Sequence, residues 1–328
     1  MTYDEKYMRR ALELARHGLG NTSPNPMVGA VIAGPDGRII GEGYHRRCGE
    51  GHAEVNAIAS VKDKGLLADS TIYVTLEPCS HYGKTPPCAK LIIDSKIPRV
   101  VVGAGDPFVA VAGRGIRMLR EAGIEVVEGV LADECRSLNR KFMTAHTLGR
   151  PYVALKWAQS ADGFIDSMQG PVKFSSALSS TLVHRLRSLY DAILIGSGTA
   201  LADRPRLDCR LWPGRSPRPV ILDRRHRVDV NALDMPVEPV VLSDFTDIDD
   251  ALKQLYKRGI SSVLVEGGAA VLQSFIDSGL WDIARIESAP IILGADGHTK
   301  APVLKNSKLL DAENIGANTI KVYTRADQ

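Results

Sequence analysis

Twice along this chain of 328 residues, short apolar runs of strand length alternate with stretches whose apolar residues recur at helical spacing. That alternation limits the possible folds more than any other feature. Strands that are apolar on both sides need a layer of helices on each face of their sheet to keep water off them. In the first half Tyr7, Met8, Ala11, Leu12 and Ala15 repeat at helical spacing, which predicts a helix over 3–18. Strands are predicted at 27–33, 38–43, 71–76, 99–103 and 125–128, with a turn at Pro35-Asp36-Gly37 between the first two. Helices are predicted at 52–62, 88–95, 115–122 and 132–145. The run Thr147-Leu148-Gly149-Arg150-Pro151 breaks this pattern with small, turn-forming residues, and beyond it the alternation restarts. The second half predicts strands at 152–157, 192–196, 219–222, 239–242, 262–266, 283–289 and 319–323, and helices at 177–188, 248–257 and 269–277. The stretch 204–227, rich in arginine and proline, reads largely as loop. The expectation is an α/β protein of two domains, 1–147 and 151–328, a length that suits two hydrophobic cores.

Composition excludes several classes. A hydrophobic content of 44% and a charged content of 24% are those of an ordinary globular protein. The net charge of +3 leaves no electrostatic footprint for nucleic acid. No apolar run approaches the roughly 18–20 residues that cross a bilayer, and the first residues lack a signal-peptide core. No nucleic acid, no membrane and a cytoplasmic location are therefore expected. Five cysteines, an odd number, argue against a disulfide framework. Cys48, Cys135 and Cys209 read as reduced thiols, whereas Cys79 and Cys88 have company that suggests chemistry.

His52-Ala53-Glu54 is followed by Pro78-Cys79 and, eight residues further on, by Cys88. One imidazole and two thiolates satisfy three tetrahedral positions on zinc and leave the fourth for water. Two thiolates cancel the charge of the dication, while the metal still draws the pKa of bound water toward neutrality. Glu54, two residues from the histidine on the same predicted helix, can stand beside such a metal without ligating it and move a proton. Each cysteine is placed where a loop meets a helix N-terminus, which favours thiolate. The order of these residues matches the zinc-deaminase signature, although that signature separates its cysteines by two residues. One Zn2+ per chain is expected, held by His52, Cys79 and Cys88, with Glu54 catalytic.

The segment from Glu77 to Cys88, Asn25-Pro26-Met27-Val28-Gly29, and Gly43-Tyr44-His45 with Gly49 resemble the riboflavin-pathway deaminase family, and the likeness runs on through Gly105-Asp106-Pro107. Bifunctional members of that family carry a reductase behind the deaminase. This chain is similar to them: Leu155-Lys156, Ser160-Ala161-Asp162-Gly163, His184-Arg185-Leu186-Arg187, and Asp191-Ala192-Ile193 through Thr199 and Asp203 match the reductase half. The resemblance implies a cytidine-deaminase-like three-layer domain followed by a dihydrofolate-reductase-like domain. It implies a pyrimidine ribotide as small-molecule substrate, deaminated hydrolytically and then reduced from ribosyl to ribityl with NADPH, in a homo-oligomer. Asn25 and Lys84 would then face the substrate of the deaminase. In the reductase Ala158, Lys173, Thr199, Asp203, Arg224 and the turn Gly268, Ala269, Ala270, Val271, Leu272, Gln273 and Ser274 would touch the cofactor. Lys156, Arg187, Leu207, Arg210 and Glu266 would contact the substrate, with Lys156 orienting the sugar carbonyl or relaying a proton.

Two departures stand out. Phe108 occupies a position where the family pattern has asparagine, and Lys173-Phe174-Ser175 replaces a Trp-Ile-Thr segment beside the nicotinamide. In the second half Val265-Glu266-Gly267-Gly268 ends a strand in two glycines before a helix, which suits the close approach of a pyrophosphate but also a plain strand–helix turn. Asp223-Arg224-Arg225 follows a predicted strand, so Arg224 can reach an adenosine 2′-phosphate. A nucleic-acid deaminase shares the zinc residues, and a nucleotide-binding module without hydride transfer shares the second half. Both stay open on sequence.

Overall fold

The computed structural model describes residues 1–82, 86–107 and 112–326 and divides them into two compact units, Met1–Leu148 and Gly149–Gln328. In the first unit α1 (Tyr3–Arg16) precedes the antiparallel pair β1 (Gly29–Ala33) and β2 (Ile39–Tyr44). Then come α2 (Ala53–Ser60), β3 (Thr71–Leu76), α3 (Cys88–Asp94), β4 (Arg99–Ala104), α4 (Arg114–Glu121) and β5 (Glu125–Glu128), closed by α5 (Ala132–Leu138) and α6 (Arg140–Leu148). The sheet runs β2-β1-β3-β4-β5, with β3, β4 and β5 parallel. Alternation along the strands sorts the helices between faces. Ala30, Ile32, Ile72, Val74, Val100 and Val102 pack with Ala57 of α2, Ile92 of α3 and Leu119 of α4. Val31, Tyr73 and Val101 pack instead with Met8 and Leu12 of α1 and Cys135 of α5. The result is three layers.

The expected helix over 132–145 is broken at Asn139. Its side chain accepts from Met27 N–H and donates to Met27 C=O, both at 2.8 Å, so the amide replaces a strand neighbour for that residue. The same pairing explains why β1 begins at Gly29 and not at 27 as the apolar run predicts.

The second unit begins with β6 (Tyr152–Gln159), α7 (Ala177–Ser188), β7 (Ala192–Gly196), α8 (Ser197–Asp203), β8 (Arg218–Leu222) and β9 (Val240–Leu242). It continues with α9 (Ile248–Lys257), β10 (Ser262–Val265), α10 (Ala269–Ser278), β11 (Ile283–Ser288), β12 (Ser307–Ile315) and β13 (Asn318–Arg325). Its sheet runs β12-β13-β11-β6-β10-β7-β8-β9; β11 and β6 through β10 are parallel, and β13 joins antiparallel. On one face Leu155, Trp157, Leu194 and Val265 pack with Leu252 and Leu255 of α9 and Phe275 of α10. On the other, Tyr152, Ala154 and Leu264 pack with Leu186 of α7, and Ile193, Ile195 and Ile221 with Ala200 of α8. Two elements escape the sequence pattern. α8 starts directly at the end of β7, in a stretch where no helix is predicted. β12 is an edge strand whose residues from Lys308 to Asn314 are exposed, so it carries no alternation to read.

Candidate active sites

In the first unit His52 is the residue before α2, yet its side chain makes no capping bond because the imidazole turns toward two sulfurs. Its Nδ1 lies 3.6 Å from Cys79 Sγ and 3.3 Å from Cys88 Sγ, and the three donor atoms lie within 4.8 Å of one another. Ligands about 2.0–2.3 Å from a tetrahedral zinc stand roughly 3.5–3.8 Å apart, so the set fits that ion. Cys88 opens α3, and its backbone N–H donates to Cys79 Sγ at 3.2 Å. Cys88, that N–H and His52 together pull the Cys79 thiol down to about 4. Glu54, in the first turn of α2, is 3% exposed. Burial raises its carboxyl to about 6, against the pull of His52. The carboxyl thus stands beside the donor triad in a dry place and is biased toward holding a proton.

Asn25 is placed by His45, a buried ring lying edge-on to His52 with centroids 5.5 Å apart. His45 Nδ1 is 3.2 Å from Gly51 C=O, which can only accept, so that nitrogen carries the proton. Nε2 then accepts from Asn25 Nδ2 at 3.4 Å, which leaves the Asn25 carbonyl oxygen for another partner. Lys84 and Phe108 lie outside the described residues.

A residue quoted in the motif but given no role turns out to anchor it. Glu77, 4% exposed, accepts from four backbone N–H groups: Gly113 and Gly115 at 3.0 Å, Asp106 at 3.3 Å and Ile116 at 3.4 Å. A Cβ on Gly115 would lie 2.0 Å from Pro78 C=O, so α4 can seat against the cysteine loop only with glycine there. The carboxylate and this glycine fix where Pro78-Cys79 leaves β3. An acidic residue ahead of a Pro-Cys pair, with free helix N–H groups downstream, was the available signal.

In the second unit the expected cofactor residues gather at the carboxyl ends of the parallel strands, where open α/β sheets bind ligands. Gly268 precedes α10 at φ +30°, and a Cβ there would stand 3.2 Å from Thr199 Oγ1. Gly267 has a packing reason of its own: a Cβ would meet Ile195 Cα at 2.4 Å. Arg224, Arg225 and Arg227 line a cavity of about 810 Å3 together with Val271 and Ser274 of α10. Asp223, fully buried, accepts from Val228 N–H at 2.8 Å and shapes the loop that presents these arginines. Arg224 lies over the Phe245 ring, 4.3 Å from its centroid, and donates to Thr246 C=O at 2.6 Å. Arg227 donates to Ser197 at 2.7 Å. Ala158 sits half-buried near the end of β6; Lys173 and Asp203 are exposed. Phe174 is buried, and its carbonyl accepts from Asn318 at 2.9 Å.

The expected substrate residues form ion pairs. Arg187 bonds Glu266 through two nitrogens at 2.9 and 2.8 Å and also donates to Asp208 C=O at 3.1 Å. Arg210 pairs with Asp208, and buried Leu207 adopts φ +53° between them and α8. Lys156 shares the sheet face of this pair. Burial and the neighbouring Arg187 lower its ammonium below the ordinary lysine range, against the pull of Glu266 and Glu287.

Among the described residues no helix is long and apolar enough to cross a membrane. Residues 1–104 match the family model for the cytidine and deoxycytidylate deaminase zinc-binding region, and 151–321 match that for the RibD C-terminal domain. The riboflavin biosynthesis protein RibD of Bacillus amyloliquefaciens is 41% identical over 92% of this chain and 87% of its own length. That of Escherichia coli is 37% identical over 94% of both chains. A diaminohydroxyphosphoribosylaminopyrimidine deaminase/5-amino-6-(5-phosphoribosylamino)uracil reductase from Thermotoga maritima superposes with a TM-score of 0.85 at 39% identity, covering 98% of this chain and 99% of that one. Over both units, in sequence and in fold, the chain belongs to the RibD family of riboflavin biosynthesis proteins, zinc-dependent deaminases joined to an NADPH-dependent reductase.

Proposed function

We propose that residues 1–147 hydrolytically deaminate 2,5-diamino-6-(5-phosphoribosylamino)pyrimidin-4(3H)-one, and that 151–328 then reduce the ribosyl group of the product to ribityl with NADPH. The observation that carries this reading is the convergence of His52, Cys79 and Cys88 beside a buried carboxyl that is not one of them. Those three residues would hold zinc, whose charge makes a water nucleophilic near neutral pH. Glu54 takes one proton from the attacking water and gives it to the ring nitrogen, then moves the remaining hydroxyl proton to the leaving amine. The C–N bond breaks, ammonia departs and the ring carbon keeps the oxygen. Asn25, oriented by His45, offers its carbonyl oxygen to the substrate, and Lys84 adds a cation.

In the second unit NADPH supplies a hydride. Thr199, Asp203, Arg224, Ala158, Lys173 and the turn 268–274 would hold the cofactor, with Arg224 available to its 2′-phosphate. Lys156 gives a proton from Nζ to the heteroatom on C1′ of the opened sugar, which balances the hydride arriving at that carbon. The ion pair of Arg187 with Glu266, together with Leu207 and Arg210, walls the substrate. A homo-oligomer and a cytoplasmic location belong to the same reading, the former open to light scattering of the purified chain.

The test combines metal analysis with turnover. One zinc per chain is expected, and NADPH should be oxidised when the pyrimidine ribotide is supplied but not after the zinc is removed. Zinc well below one equivalent in active protein would refute the metal role. Deamination with no NADPH oxidation would leave the second unit a nucleotide-binding module.

A further inference from the structure

Asn25 stands on a short segment outside the sheet, since β1 begins only at Gly29. Pro24 and Pro26, on either side of Asn25, have no N–H to donate, and Pro26 confines Asn25 to extended backbone. Asn25 N–H turns back to Thr22 C=O at 2.8 Å. Met27 is therefore the first residue after Asn25 whose N–H and C=O can both be held from elsewhere in the chain. Val28, next along, accepts from His45 N–H at 2.9 Å, and the His45 ring receives the Asn25 amide.

The amide that holds Met27 belongs to Asn139, 112 residues further along the chain. Asn139 is itself a fixed point. It is buried, its N–H closes α5 on Arg136 C=O at 3.1 Å, and its C=O receives Met143 N–H of α6 at 2.8 Å. Four residues earlier Cys135 packs against Val31, Tyr73 and Val101, so close to the sheet that a Cβ on Gly103 would stand 2.3 Å from its sulfur. With its backbone engaged in the two helices, Asn139 turns both ends of its side-chain amide to Met27. Met27 is half-buried, so solvent could satisfy its N–H and C=O in the absence of this amide. What water cannot supply is a fixed direction.

We propose that Asn139 is a positioning residue of the deaminase, which clamps Met27 and so aims the Asn25 carbonyl oxygen at an N–H donor of the pyrimidine. This rests on the deaminase reading, in which Asn25 faces the substrate. Pro26 limits the Asn25 backbone and His45 turns its amide, while Asn139 ties the segment to α5 and through it to the sheet. Pro26 is stiff, so a shift of Met27 is passed on to Asn25 and not absorbed between them. A hydrogen bond weakens steeply with angle and distance, and a misplacement of about 1 Å is enough to lose a contact made in the bound complex.

The experiment uses the full zinc-loaded chain with Asn139→Ala, Asn139→Asp, Asn25→Ala and the double variant Asn25→Ala/Asn139→Ala. Ammonia release from the pyrimidine ribotide gives kcat and KM. Asn139→Ala should raise KM about three- to tenfold, the size of one neutral hydrogen bond, with kcat and zinc content close to those of the wild type. Asn139→Asp keeps the volume and the bond from Met27 N–H but sets a carboxylate against Met27 C=O, so the chain should fold and KM should rise again. The double variant should be no worse than Asn25→Ala, because a clamp has no effect once the amide it aims is gone. Hydrogen exchange gives a readout independent of turnover: the Met27 amide should exchange faster in Asn139→Ala, with Thr71–Leu76 of β3 unchanged. Unchanged KM in both Asn139 variants, effects of Asn25→Ala and Asn139→Ala that simply add, or loss of zinc or of folding in both Asn139 variants would overturn the proposal and leave Asn139 a residue of the scaffold. Unchanged KM in Asn25→Ala would also overturn it, with the deaminase reading intact. A wild type that releases no ammonia would instead refute the deaminase reading itself, and faster exchange at Met27 in Asn139→Ala would still support the clamp.

Discussion

Glu54 and Glu77 are both buried acids of the first unit, and they do opposite work. Glu54 has no array of backbone donors, so burial dominates and its carboxyl is inclined to take a proton. Glu77 accepts from four backbone N–H groups, which tie the cysteine loop to α4. Substituting each should separate chemistry from scaffold. Glu54→Gln should retain zinc and melting temperature but lower deaminase kcat by about 10²–10⁴-fold, the usual size of a general acid–base contribution. Loss of metal in that variant would make Glu54 a ligand. Glu77→Ala leaves its donors buried and unpaired, and should cost about 2–4 kcal/mol in denaturant unfolding. A parallel fall in zinc occupancy is expected. An unchanged midpoint would mean that water replaces the carboxylate. The order His52, Glu54, Cys79 and Cys88 was readable because metal ligation demands particular donor types. Glu77 was not, since its role depends on backbone N–H groups far away in sequence.

At the scale of elements, the proposed reading makes the loop from Asp223 to Val228 the one that decides cofactor choice. Arg224 is braced by the Phe245 ring and the Thr246 carbonyl, so little side-chain freedom is lost when a phosphate arrives. Arg224→Ala should lower kcat/KM for NADPH about tenfold or more and leave the NADH value nearly unchanged. Equal efficiency of the two cofactors in the wild type would remove this loop from the 2′-phosphate. Apolar periodicity predicted most strands and helices because burial imposes it on both kinds of element. It failed where burial is weak or one-sided, at exposed β12, and where a polar side chain intervenes, at Asn139 between α5 and α6. Gly267 shows what a pattern leaves open. Its glycine reads as room for a ligand or as a plain strand–helix turn, and the atom that a side chain would meet is Ile195 Cα, 2.4 Å away.

Each half of the molecule builds its own sheet and encloses its own hydrophobic clusters, and the division at Leu148 and Gly149 coincides with the turn-rich run in the sequence. A fragment ending at Thr147 should therefore fold, bind zinc and deaminate the ribotide at a rate within a fewfold of the full chain. Zinc analysis and ammonia release would check this, and an insoluble or inert fragment would mean that the halves depend on each other. With two self-sufficient cores on a single polypeptide, every ribosome that makes one catalyst has also made the other. The ratio of deaminase to reductase is then fixed at synthesis, and no change in expression can alter it.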